Sequence, residues 1–166
     1  QPTPRPLFAL PDARSVPAYS SGTMALGRDG LTIVAANMLN NTVAIVVPAN
    51  ERVNAEVAVG TDPRNVAITP DGTRALVTNR GSGTLSVVDI LAAEVVATIP
   101  LGMFPYGVVS GSDAYAYVAL QGSGEVVEVD LTATRVTRRF SVPPASKTAM
   151  SCPPVSTTQS SRLAAS

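Results

Sequence analysis

The chain has 166 residues, of which 45% are apolar and 14% charged, and its twelve basic side chains balance twelve acidic ones. That length fits about one domain with a packed core. There is no histidine and a single cysteine, Cys152, which excludes imidazole-based triads, His-ligated haem, His-containing zinc sites and an intrachain disulfide.

The opening segment, residues 1–19, carries Pro2, Pro4, Pro6, Pro11 and Pro17, a spacing that favours an extended chain over a helix. It begins Gln-Pro-Thr-Pro without Met, which fits a processed terminus or an excerpt equally. Internal repetition follows. Asp29-Gly30 returns 42 residues later as Asp71-Gly72, Asn37 as Asn79, Thr42 as Thr84, and Gly60 as Gly102. After a one-residue deletion near Ser112, Gly81-Ser82-Gly83 returns as Gly122-Ser123-Gly124, and Asp89 as Asp130. Three copies thus occupy residues 20–60, 61–102 and 103–143, and a repeat of this period marks a solenoid or propeller.

Each copy reads as four strands. In the first, Met24–Leu26 leads through Asp29-Gly30 to Ile33–Asn37, then Thr42–Val47 and a fourth strand around Val53–Val57. In the second, Val66–Ile68 is followed by a Pro70-Asp71-Gly72 turn, where Gly supplies the positive φ. Ala75–Asn79, Thr84–Asp89 and Val95–Ile99 complete it. The third places Val108-Val109, Ala116–Leu120 and Glu125–Asp130 at the matching offsets. The middle strands are nearly continuous apolar runs, as for strands covered on both faces. The fourth alternates polar and apolar residues, as for a half-exposed strand. The fold class is therefore all-β: three four-stranded antiparallel blades of a β-propeller. Propellers close with about 4–8 blades, so three blades are partial or are completed by an oligomer or another protein. In the third copy Glu128 and Arg138 stand where the second has Val87 and Ala97, the polarity expected of a terminal cap. Residues 144–166 form a tail rich in Ser, Thr, Ala and Pro, with too few apolar residues to order itself. From residue 131 onward there are five basic residues and no acidic one.

Pro63-Arg64-Asn65-Val66-Ala67-Ile68-Thr69-Pro70-Asp71-Gly72, Leu76-Val77-Thr78-Asn79, Ser86-Val87-Val88-Asp89 and Val96-Ala97-Thr98-Ile99-Pro100-Leu101-Gly102 together resemble the YVTN-type β-propeller repeat. Val34-Ala35-Ala36-Asn37 and Tyr117-Val118-Ala119-Leu120 are looser versions, the latter without the Asn. That family comprises surface-layer-like and periplasmic seven-bladed propellers. The resemblance implies a bacterial or archaeal exported protein, extracellular or periplasmic, and leaves function open because propellers host many activities.

No catalytic residues are assigned. A nucleophile needs an adjacent base, and the chain contains no Gly-x-Ser-x-Gly elbow, phosphate-binding Gly loop or metal-ligand spacing, so neither cofactor nor metal is expected. Asp29, Asp71, Asp89 and Asp130 read as turn formers. Ligand or partner contact is expected instead at Arg64, Asn65 and Tyr106, on loops entering the inner strand at the channel mouth. Asn79, Arg80 and Gln121, at the end of the second strand, are expected at the opposite lip or in its turn. Tyr115 and Tyr117 share one face. Scattered cations without interleaved aromatics do not form a nucleic-acid platform, and no apolar run is long enough to span a membrane as a helix. The expected function is a non-enzymatic protein-interaction or scaffold module acting through a protein partner or self-association of open blade faces. On this reading, polarising Val87 and Val88 changes assembly. The alternative is a portion of a larger periplasmic propeller that binds a small ligand or supports an active site elsewhere.

Overall fold

Period-two patterning and tight Asp/Gly turns dictate strands joined by hairpins, and the chain folds that way throughout residues 22–142, which the computed structural model describes. The Pro-rich segment 1–19, the tail 144–166 and Cys152 lie outside the described residues. Blade 1 comprises β1 (Met24–Leu26), β2 (Ile33–Asn37), β3 (Thr42–Val47) and β4 (Arg52–Ala58). Blade 2 comprises β5 (Pro63–Ile68), β6 (Arg74–Asn79), β7 (Thr84–Asp89) and β8 (Glu94–Pro100). Blade 3 comprises β9 (Pro105–Ser110), β10 (Tyr115–Leu120), β11 (Glu125–Asp130) and β12 (Arg135–Ser141). Each blade is a separate antiparallel sheet with its strands in sequence order. The only helical element among the described residues is a 3₁₀ turn at Pro48–Asn50.

The turns repeat as faithfully as the strands. Gly30 and Gly72 take positive φ in the β1–β2 and β5–β6 turns. Asp29 Oδ1 accepts from the N–H groups of Leu31 and Thr32 at 2.9 and 3.1 Å, and Asp71 Oδ1 accepts from Thr73 at 3.0 Å. Asp89 and Asp130 do the same for Ala92, Thr132 and Ala133 in the outer hairpins. All four aspartates are therefore turn formers, as their spacing predicts. Less expected is the left-handed backbone at Glu51, Ala93 and Thr134. These residues occupy the same place in the three outer hairpins and hold it without glycine.

Two apolar cores hold the blades face to face. Ala25, Val34 and Ile45 of blade 1 are buried in one core with Val66, Val77 and Val88 of blade 2. Leu76, Leu85 and Val87 of blade 2 are buried in the other with Val108, Val118 and Val129 of blade 3. Because side chains alternate across a sheet, blade 2 uses both faces, and β7 is buried along its whole middle. Blades 1 and 3 each bury one face only, so β10 is buried on alternate residues and β2 at Val34 alone. This corrects the expectation for Val87 and Val88. Both lie inside blade–blade cores, 2% and 0% exposed, so polarising them attacks the fold rather than an assembly surface.

Candidate functional site

Antiparallel pairing sets Pro63, at the start of β5, beside Asn79, at the end of β6. Arg64, Asn65, Asn79 and Arg80 therefore share one end of blade 2, with Tyr106 and Gln121 at the same end of blade 3. The expectation that Asn79, Arg80 and Gln121 sit at the opposite lip is thereby corrected; Arg80 and Gln121 stand in the turns after β6 and β10, and Asn79 is the last residue of β6.

The loop into β5 organises this rim. Asp62 adopts φ 55°, its N–H donates to Asn41 Oδ1 of blade 1 at 2.9 Å, and its carbonyl accepts from Arg80 N–H at 2.9 Å. The carboxylate then faces two guanidiniums. Arg64 Nη2 donates to Asp62 Oδ2 at 3.0 Å, Arg64 Nε lies 3.0 Å from Oδ1, and Arg80 Nη1 lies 3.5 Å from Oδ2. The Arg80 guanidinium also stacks over the Phe104 ring, 4.7 Å from its centre. In blade 3 the same backbone bond recurs, from Gln121 N–H to the Phe104 carbonyl at 2.9 Å, but without the charges. The rim thus carries two half-exposed arginines and one carboxylate, a net positive cluster with further guanidinium donors. As a partly exposed ion pair it contributes at most about 1 kcal/mol to stability.

The other candidates divide between structural roles and solvent. Asn79 is fully buried, and its Nδ2 donates to Thr84 Oγ1 at 3.1 Å and Ser86 Oγ at 2.9 Å. Asn65 is buried beside the β-bulge between Pro63 and Asn65. There Thr78 Oγ1 accepts from Asn65 N–H at 3.1 Å and donates to the Tyr106 carbonyl at 2.6 Å, tying blade 2 to blade 3. The side chains of Tyr106 and Gln121 point to solvent. At the other end of the strands an open, largely apolar cleft of about 860 Å³ lies between blades 1 and 2, lined by Val47, Ala55, Asp89, Ile90 and Leu91 among others. None of the six candidates lines it. Among the described residues no group of acidic or Cys side chains has metal-binding geometry.

A second polar cluster lies on the uncovered face of blade 3. Val109, Tyr117, Glu128 and Arg138 form one cross-strand row. Glu128 is only 4% exposed. Its Oε1 accepts from Arg138 Nε at 2.9 Å and Thr137 Oγ1 at 2.8 Å; its Oε2 accepts from Tyr117 hydroxyl at 3.1 Å and lies 2.8 Å from Arg138 Nη2. The Arg138 and Thr137 hydrogen bonds hold the carboxyl below its ordinary range, while the Glu128 acceptor and its charge raise the Tyr117 phenol. Sequence reasoning noted the polar exchange at Glu128 and Arg138 but missed Tyr117 and Thr137 as their partners. It also missed Asp62 and Phe104, because only strand register and a loop conformation bring these residues together.

A family model for YNCE-like beta-propellers matches residues 18–129. The chain belongs to that family. Its fold is similar to hydrazine synthase of Kuenenia stuttgartiensis, with 30% identity and a TM-score of 0.67, covering 71% of this chain and 34% of that one. It is also similar to apo AztD from Citrobacter koseri, with 20% identity and a TM-score of 0.61, covering 81% and 38%. A third similar structure is the dihydro-heme d1 dehydrogenase NirN in complex with DHE, with 24% identity and a TM-score of 0.61, covering 75% and 28%. The chain therefore spans about a third of the length of these structures. No curated protein matches it in sequence.

Proposed function

We propose that this YNCE-like propeller segment is a non-enzymatic protein-interaction or scaffold module of the YVTN repeat type, exported to the periplasm or the cell exterior. The observation that carries the reading is the pair of outer blade faces. They have the same strand registers as the two buried blade–blade interfaces, yet Met24 and Leu26 on blade 1 are 57% and 53% exposed, and on blade 3 Val109 and Phe140 are each 44% exposed. Apolar faces of this kind favour burial against a partner surface. Export rests on the YVTN resemblance; the absence of a long apolar helix among the described residues bears only on helical membrane spans.

The native mass of the full chain by light scattering, with and without Met24→Glu and Leu26→Glu, tests the interaction reading. Association that these substitutions weaken supports it. A chain indifferent to them, or one that turns over a substrate alone, overturns it. A second reading, blades of a longer periplasmic propeller that binds a small ligand, draws support from the 28–38% coverage of the matched structures. Coding sequence for further blades beside this segment would favour it.

A further inference from the structure

The charges on the blade 2 rim are not needed by the turn that carries them. Asp62 and Phe104 hold the same place in successive repeats, with φ 55° and 53°. In each blade the carbonyl of that residue accepts from the residue after the second strand, Arg80 N–H in one and Gln121 N–H in the other, both at 2.9 Å. Gly81 and Gly122 N–H groups donate in the same way to the carbonyls of Thr61 and Met103, at 3.0 and 3.3 Å. Blade 3 therefore builds the same turn with Phe104, Tyr106 and Gln121 where blade 2 has Asp62, Arg64 and Arg80.

The charged set also stands where a ligand can reach it. Residues 31–130 hold ten carboxylates and four arginines, yet two of those arginines converge here on the single Asp62 carboxylate and leave one positive charge over. Arg64 is engaged through Nε and Nη2, and Arg80 through Nη1. Arg64 Nη1 and Arg80 Nε and Nη2 have no acceptor among the described residues, and the two side chains are 32% and 38% exposed. Phe104 covers one face of the Arg80 guanidinium, which leaves its in-plane donors unspent. Glu125, the carboxylate at the matching end of blade 3, is engaged by Arg139 at 3.3 Å. Arg64 lies in β5 and Tyr106 in β9, the first strands of their blades, and these two strands pack together. The cluster thus stands at the end of the inner strands, which surround the central channel of a propeller. Met103, Phe104 and Tyr106 add exposed apolar surface on the blade 3 side.

We propose that this rim binds a small organic monocarboxylate with an aromatic or apolar body. A guanidinium fork matches the plane of a carboxylate, one negative charge neutralises the cluster, and Phe104 and Tyr106 receive the apolar part. Asp62 orders the two arginines and competes with the ligand for them. The proposal rests on the small-ligand reading above and not on the outer blade faces, so its failure leaves the interaction reading untouched.

Calorimetric titration of the full-length polypeptide that carries these blades with phenylacetate tests the site, and circular dichroism melts check that each variant is folded. Arg64→Gln and Arg80→Gln should each weaken binding about tenfold or more as charge-assisted hydrogen bonds are lost, and added salt should weaken it further. Asp62→Asn is the variant that a purely structural cluster would not reward. Asn tolerates left-handed backbone and keeps the main-chain bonds to Asn41 and Arg80, while the guanidiniums lose their competitor, so binding should tighten several-fold. Phenylacetamide, which lacks the charge, and inorganic phosphate, which lacks the apolar body, should each bind about tenfold more weakly than phenylacetate. No binding of phenylacetate, or unchanged or weaker binding in Asp62→Asn, overturns the proposal. Binding that survives both arginine substitutions overturns this site while sparing the small-ligand reading. Phenylacetamide bound as tightly as phenylacetate, or phosphate bound more tightly, overturns the ligand class.

Discussion

Gly60→Ala tests how tightly the buried Asn79 amide is packed beneath the turn. A Cβ built on Gly60 would lie 2.7 Å from both Cγ and Nδ2 of Asn79, and closer still to Ser82 Oγ. Ser82 sits on an exposed turn and can move. The Asn79 amide cannot move freely, because its Nδ2 is committed to Thr84 and Ser86 in a buried site. Overpacking costs about 1–3 kcal/mol, and loss of two neutral hydrogen bonds adds about 1 kcal/mol each. The reduced freedom of the unfolded chain offsets about 0.4–1 kcal/mol. The expected net loss is about 2–4 kcal/mol, a large part of the ~5–15 kcal/mol typical of a domain. Urea unfolding followed by circular dichroism reads it directly. In an Asn79→Ala background the clash is gone, and Gly60→Ala should cost about 1 kcal/mol or less, a coupling of the size expected for touching residues. Gly102→Ala is the internal control: one repeat later, the nearest neighbour is Leu120 Cδ1 at 3.5 Å, and the cost comes from φ +130° instead. Trimming Leu120 should not relieve it. Equal costs of Gly60→Ala in the two Asn79 backgrounds would refute the packing account.

Three other outcomes are expected. Val87→Asp buries an unpaired charge between blades 2 and 3 and should cost at least about 4 kcal/mol in urea unfolding, whereas Leu26→Asp on the open face should shift the dilute monomer by no more than about 0.5 kcal/mol. Ala93→Gly, at φ 55°, should stabilise by roughly 0.5 kcal/mol, since relief of left-handed strain slightly exceeds the added unfolded-state freedom. Acid unfolding should show a carboxylate dependence. Partial desolvation opposes ionisation at Asp29 and Asp71, but hydrogen bonds from Leu31 and Thr32 to the first, and from Thr69 and Thr73 to the second, hold both below the ordinary 3.8. The Arg138 bond holds Glu128 below 4.5. Groups with depressed folded values contribute stability that is complete above about pH 4.5 and lost as pH falls through those values. Glu128→Gln should therefore flatten the acid limb of stability against pH, and an unchanged limb would count against the Glu128 network.

The sequence by itself determined the blades. Asp-Gly turns recurring at a fixed offset, together with apolar runs of strand length, place the third strands at Thr42–Val47, Thr84–Asp89 and Glu125–Asp130, where the structure has them. These features are local: a hairpin depends on its own turn residues and on period-two alternation, and a repeat multiplies the signal. The candidate site was legible in part. Arg64 and Arg80 could be named as candidates, but that Arg64 lies within β5 and converges with Arg80 on Asp62 requires knowing that β5 and β6 run antiparallel with a bulge after Pro63. The left-handed turns at Glu51, Ala93 and Thr134 were hidden because none is glycine.

Only the tertiary structure decided which side of each strand meets a neighbour. Alternation says that Val87 and Val88 face opposite ways, but not that each way ends in a buried core. The same alternation puts Glu128 on the face of blade 3 where Val87 lies on blade 2. Pairing across β10, β11 and β12 then surrounds its carboxylate with Tyr117, Thr137 and Arg138. Burial and charge pairing depend on residues far apart in the chain, so they appear only when the sheets are stacked. The stacking of blades 1 to 3 also leaves an outer face on blade 1 and another on blade 3 without a neighbouring blade among the described residues.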